Sequence, residues 1–362
     1  MKKRKSAARS KGRPARSTGR PAQKPAGRGG QPPARQRATT RKRRKARLKP
    51  IVRGETETLL HLEELLSQRI VGKQEAIRRV ANAIRIRRAN LDFRPARPDG
   101  AFLLVGPPGV GKTEFACAVA EVLLGSDRGV VLLDMADYSE EDDVEDLLVT
   151  LHPDADGVLI QGTLTTPVRA NPRIVILLRG LERAHPLVQR LLLHILDRGS
   201  LTDAQGEVSF QETVIFATSR LVPQEQETVE PIGFRRTPRT PKERTRLFLE
   251  QQFSPELIAA FNEVLVFDQL TPNEVKLIAR YKVETVLDRL RRQKRGVEVS
   301  DKVYDAFIRD DEVRRCGARD LNRTLEEKIF TPLSKYLLSH ADARHIRVDV
   351  RRGQLVIREP AE

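Results

Sequence analysis

No run in the 362-residue chain approaches the about 18 consecutive apolar residues that cross a bilayer. The basic N-terminus is not followed by an apolar h-region, so no secretory signal is expected. Cysteine is nearly absent. Cys117 and Cys316 stand far apart with no metal-ligating residues beside them, which argues against a disulfide framework and against a cysteine metal site. His61, His152, His185, His194, His340 and His345 show no metal-ligand spacing either. These absences point to a soluble chain in a reducing, cytoplasmic compartment, with no membrane partner. Acidic residues are missing from one end only: residues 1–54 hold 21 Lys and Arg and no Asp or Glu, leaving 45 basic and 49 acidic side chains for the rest. The basic balance of the whole chain, +17, therefore belongs to its N-terminal segment.

Residues 1–53 are rich in Lys, Arg, Pro, Gly, Ala, Ser and Gln and poor in large apolar side chains. Such a composition cannot offset the entropy of ordering, so a disordered basic tail is expected. A tail of this charge displaces counterions from phosphates, giving salt-sensitive affinity for nucleic acid or another polyanion. Its densest point is Arg41-Lys42-Arg43-Arg44-Lys45. Lys11-Gly12-Arg13-Pro14 and Gly19-Arg20-Pro21 resemble the Gly-Arg-Pro core of AT-hook peptides, in which Arg lies in a narrow minor groove. Minor-groove reading, general tethering through residues 1–50 and simple solubilisation all remain open on composition alone.

The body contains one motif of high specificity. Ala101–Val105 is a short apolar run, Gly106-Pro107-Pro108-Gly109-Val110-Gly111-Lys112-Thr113 is a complete P-loop, and Lys112–Leu124 reads as a helix with an apolar face. In that context successive backbone N–H groups and the helix N-terminus surround an anion, Lys112 reaches the outer phosphates, and the Thr113 hydroxyl is placed to ligate Mg²⁺. Further apolar runs at Val130–Leu133, Ile174–Leu178 and Val214–Ala217 alternate with helical stretches, including Glu57–Leu66 and Gln74–Arg88 before the P-loop. That alternation predicts a mainly parallel sheet covered on both faces. From Thr271 the pattern changes to long helices, a β-favouring segment at Gly296–Val299 and a terminal hairpin, Ile346–Val350 and Leu355–Ile357, turning at Arg351–Gly353.

Leu62-Glu-Glu-Leu-Leu, Ile70–Ile77, Gly106–Thr113, Leu133–Tyr138, Glu182–Pro186, Leu193–Asp203 and Gly317-Ala318-Arg319 recur in the order seen in the second ATPase ring of Clp-type AAA+ unfoldases, the ClpA, ClpB and ClpC group. The resemblance covers residues 57–357. It implies an α/β fold: a disordered basic tail (1–53), an AAA+ large P-loop domain with a mainly parallel sheet (54–267), and a small α+β lid domain (268–362). It also implies a homo- or hetero-oligomeric ring with ATP or ADP between subunits. By the same resemblance Ile70 and Val71 line the adenine pocket, Gly106–Thr113 and Glu114 hold the phosphates, and Arg319 is the sensor-2 arginine.

The departures from the family pattern carry as much information as the matches. Where the family has Asp-Glu after four apolar residues, the Asp supporting Mg²⁺ and the Glu orienting the attacking water, this chain has Arg179-Gly180. Gly180 has no side chain to polarise water, and Arg179 either displaces the metal or turns toward Asp134 or Glu182. The sensor-1 Asn is Arg220, and the Asn-Arg segment that supplies an arginine finger is Ala259-Ala260. In related nucleotide hydrolases such a finger contributes roughly 10³–10⁵ in rate. The aromatic pore loop is replaced by Asp154-Ala155-Asp156-Gly157-Val158.

Ile232-Gly233-Phe234 matches the tripeptide with which some members dock on a barrel peptidase, or else packs locally. The cluster Arg289, Arg291, Arg292, Lys294 and Arg295 is expected to be a solvated helix face. The combination favours a nucleotide-binding, hydrolysis-deficient ring component with regulatory or scaffolding work to do. Competing readings are an active ATP-dependent unfoldase or Clp protease ATP-binding subunit, and a nucleic-acid-binding protein on an AAA+ oligomerisation scaffold.

Overall fold

The computed structural model describes residues 53–125, 129–151, 159–221, 241–307 and 318–359. The basic tail, the segment Asp154–Val158, the tripeptide Ile232–Phe234 and Cys316 lie outside the described residues.

The centre is a five-stranded sheet built from the apolar runs. Strands β1 (Gly100–Val105), β2 (Val130–Asp134), β5 (Val175–Arg179), β8 (Val214–Ser219) and β9 (Glu263–Val266) pair in the order β2-β5-β8-β1-β9, every pair parallel. Outside it, β3 (Thr150–Leu151) with β4 (Leu159–Ile160) and β6 (Ser200–Asp203) with β7 (Gly206–Ser209) make two separate antiparallel pairs. A parallel sheet must be buried on both faces, which is why β1 and β8 are buried along their whole length and apolar but for Thr218 and Ser219 at the end of β8. Alternate residues then serve opposite cores. Leu103, Val105, Ile176, Leu178, Ile215 and Ala217 face one core with helices α5 (Thr165–Ala170), α6 (Pro186–Arg198), α7 (Pro241–Leu249) and α8 (Pro255–Ala260). Phe102, Leu104, Val175, Leu177, Val214 and Phe216 face the other. That second core is closed by α2 (Leu62–Arg69), α3 (Gln74–Arg88) and α4 (Lys112–Leu124). At its centre Phe102 stacks on Phe216 at 5.1 Å, and Phe115 meets Phe216 and Phe267 edge-on at 6.3 and 5.3 Å. Each buried ring contributes roughly 1.5–3 kcal/mol by removal from water, with edge-on and offset contacts adding to it.

The helical spacing at 57–66 resolves into two helices, α1 (Arg53–Leu60) and α2, separated by a bend at His61. The bend lets both Leu59 and Leu62 reach the core. β9 fills the edge beside β1 through backbone pairing of Phe102–Val105 with Glu263–Val266.

A third core runs from Leu270 to Val348. It is organised by the long helix α9 (Pro272–Arg292), which starts at a capping box: the Thr271 hydroxyl accepts from the Glu274 amide while the Glu274 carboxylate accepts from the Thr271 amide. Strand β10 (Gly296–Val299) pairs in parallel with β11 (His345–Arg351), which pairs antiparallel with β12 (Gln354–Arg358). The turn expected at 351–353 is present. Lys73 joins this unit to the first: its ammonium donates to the Asp268 carbonyl at 3.4 Å and lies 3.9 Å from Glu274. No helix among the described residues is long and apolar enough to cross a membrane.

Candidate nucleotide site

β1 runs straight into the glycine-rich loop, and the loop into α4. Gly106 is tied to the next strand by donating its amide to the Ser219 carbonyl at 3.2 Å, and a Cβ there would sit 2.3 Å from the Phe267 carbonyl oxygen. Only glycine lets the chain pass that close. Gly109 and Gly111 take left-handed conformations, and a Cβ on Gly111 would meet nothing within 4 Å, leaving the space over the helix N-terminus open. Val110 is buried in the core and pins the loop from beneath. Pro107 is half-buried, Pro108 and Glu114 are exposed, and Thr113 is half-buried at the first turn of α4. Lys112 is buried, and its ammonium donates to the carbonyls of Gly106 and Pro107 at 2.5 and 2.7 Å, curling the loop around the position of an anion. Ile70 packs in the core beneath the turn that starts α3, with Val71 half-buried beside it. Backbone amides at a helix start plus a buried lysine suit a phosphate chain, so the loop fits a nucleotide.

The strand ends beside it do not fit a divalent cation. Parallel pairing sets Asp134, Arg179, Thr218 and Leu104 in one row across the sheet. At the usual strand spacing Arg179 starts about 10 Å from the end of β1. Arg179 turns away from the loop toward Asp134, one of the two carboxylates anticipated for it, with Nη2 2.5 Å from Oδ2. A second guanidinium joins it, Arg183 Nη2 lying 2.5 Å from Asp134 Oδ1. Burial alone would raise the Asp134 carboxyl. The hydrogen bonds from Arg179 and the Ala136 amide, with the charge of Arg183, instead hold it below the usual carboxylate range. The one carboxylate at the end of β2 is thus engaged by two arginines.

Gly180 adopts φ +75°, and a Cβ there would lie 2.5 Å from the Arg183 guanidinium. The backbone places a turn, not a catalytic side chain, at that position. Glu182 points elsewhere: Oε1 accepts from the Arg220 amide at 3.3 Å, and Oε2 is buried with no partner among the described residues. Arg220 is exposed at the end of β8, one strand from the P-loop, and its guanidinium makes no ion pair among the described residues. Ala260 is buried in the core at the opposite edge of the sheet, where its carbonyl accepts from Arg97 at 3.2 Å. Arg319 falls in the helix Ala318–Leu325, but its side chain lies outside the described residues. His185 caps α6 by accepting from the Leu187 amide at 3.4 Å, a structural role. Cys117 packs at the edge of the second core, where burial and then the Glu114 charge push its thiol up.

Sequence reasoning did not single out Arg183. Its signal was present in retrospect: Arg179 and Arg183 flank a three-residue turn at the end of a strand whose neighbour ends in Asp134.

Residues 97–264 match the family described as AAA domain (Cdc48 subfamily), and residues 270–350 match the C-terminal, D2-small domain, of ClpB protein. The chain is a member of the Clp-type AAA+ family. Relatives include the chaperone protein ClpB of Meiothermus ruber, 38% identical over 301 residues, which are 82% of this chain and 35% of that one. The negative regulator of genetic competence ClpC/MecB of Bacillus subtilis is 33% identical over 320 residues, 86% of this chain and 39% of its own. This Clp-type chain thus spans between a third and two fifths of the length of these relatives. ATP or ADP is the nucleotide that membership implies. Mg²⁺, the metal its active members use, is not matched by the residues at the strand ends.

Proposed function

We propose that this Clp-type protein binds ATP or ADP without productive hydrolysis and acts as a regulatory or scaffolding component of a homo- or hetero-oligomeric ring. The observation that carries the reading is the Arg179–Asp134–Arg183 trio beside a complete P-loop. Hydrolysis needs a carboxylate oriented on water and a charge-compensating group opposite the leaving phosphate. The end of β5 offers a guanidinium committed to Asp134 and a glycine in a left-handed turn, and the finger position, Ala260, is a buried methyl in α8. Residues 54–267 form the nucleotide domain and 268–362 its lid, with Ile70 and Val71 against the base and Arg319 reaching the phosphates. Residues 1–50 tether the protein to nucleic acid or another polyanion in the cytoplasm, and Ile232-Gly233-Phe234 is the segment that would dock on a Clp-type peptidase.

A second reading, an active ATP-dependent unfoldase, is favoured by one feature: the buried Oε2 of Glu182 beyond the end of β5, which has no hydrogen-bond partner among the described residues. Steady-state ATP hydrolysis by the full chain, run beside Lys112→Ala, separates the two. Equal rates are expected. Activity that disappears with Lys112→Ala would establish the enzyme and direct attention to Glu182.

A further inference from the structure

Around the P-loop the cations outnumber the carboxylates. Lys112 lies within the loop, Arg220 stands one strand away, and Arg179 and Arg183 stand two strands away. Against these four are three carboxylates: Glu114, exposed on the first turn of α4, Asp134, engaged by two guanidiniums, and Glu182, turned to the Arg220 amide. A divalent cation accompanying a nucleotide needs the negative strand end that this row lacks, and it would meet like charge at Arg179 and Arg220. Arg220 has what a metal substitute requires: an exposed guanidinium, no ion-pair partner among the described residues, and a position on the strand next to the loop. A guanidinium donates to phosphate in a planar, two-pronged geometry and carries its charge at every accessible pH.

We infer that this site takes the nucleoside polyphosphate as a metal-free anion, with Arg220 and Lys112 supplying the compensation that a divalent cation gives elsewhere. Arg179 and Arg183, held on Asp134, exclude the metal. The inference rests on the reading that the P-loop binds nucleotide, and the two can fail separately.

The test is calorimetric titration of ATP into the full chain, once with excess Mg²⁺ and once with EDTA. The apparent affinity is expected to be at least about tenfold higher in EDTA, because Mg²⁺ in solution competes with this site for the free polyphosphate that it takes. Arg220→Ala, at an exposed side chain, should keep the folded state by circular dichroism. It should weaken ATP binding in EDTA by about tenfold, the scale of one charge-assisted contact. Affinity that is unchanged or falls when Mg²⁺ is chelated would overturn the metal-free site while leaving nucleotide binding intact. Unchanged affinity of Arg220→Ala in EDTA would overturn the role of Arg220. No heat in either buffer, with Lys112→Ala behaving identically, would overturn nucleotide binding itself.

Discussion

Asp134→Asn should move stability and nucleotide affinity in opposite directions. Asp134 is the one carboxylate that Arg179 and Arg183 both touch, each at 2.5 Å. A hydrogen bond to a charged group contributes about 1.5–3 kcal/mol when shielded from water. These guanidiniums are 40% and 35% exposed, so solvent screens each contact to about 0.5–1 kcal/mol. The asparagine keeps the shape and loses the charge, and unfolding free energy should fall by about 1–2 kcal/mol, read from the urea midpoint. At the same time the row of strand ends loses one negative charge. From the strand spacing, Asp134, three strands from β1, lies about 14 Å from a phosphate on the P-loop. One unit charge at that distance, with an effective dielectric between bulk water and the protein surface, amounts to about 0.3–0.7 kcal/mol. ATP should therefore bind about two- to threefold tighter in Asp134→Asn at low ionic strength, and the gain should shrink with added salt. A carboxylate that supported Mg²⁺ would give the reverse. Weaker Mg-ATP binding by the variant, with or without a stability change, would refute the argument.

Gly106→Ala should disrupt the loop, because its Cβ would sit 2.3 Å from the Phe267 carbonyl oxygen; loss of ATP heat with a folded far-ultraviolet spectrum is the expected pair of results. Phe216→Ala removes a fully buried ring stacked on Phe102 and should cost about 3–5 kcal/mol in urea unfolding, leaving a marginal fold. Acid should weaken the protein through Asp203 as well as Asp134. Burial would raise the Asp203 carboxyl, but Thr165, the Gln205 amide and Arg169 hold it below the usual range. A carboxyl lowered in the folded state stabilises it above the unfolded value of about 3.9, and the contribution is lost as pH falls through the folded value. Urea midpoints should therefore drop below about pH 4, and less steeply in Asp203→Asn than in the parent.

The strands that carry the site were legible because β1, β2, β5 and β8 are short apolar runs that a two-sided core demands. β9 was not, since Glu263-Val264-Leu265-Val266 places only Leu265 fully inside and takes its position from backbone pairing with β1. The P-loop was legible to the residue, its strand–loop–helix context being local in sequence. The Arg179–Asp134 pair was legible as an alternative, because both stand at the ends of strands expected to be near neighbours. Arg183 was missed because its place depends on the left-handed turn at Gly180, which swings the chain back over Asp134. The turn of Glu182 toward the Arg220 amide is likewise a tertiary contact, across 38 residues, that no local pattern encodes.

The most direct test of the account is the fate of ATP held on the protein. Full-length chain in excess over γ-labelled ATP, in Mg²⁺ and separately in EDTA, should release the nucleotide intact over hours in both buffers. Conversion of the bound label to phosphate at a rate abolished by Lys112→Ala would contradict it.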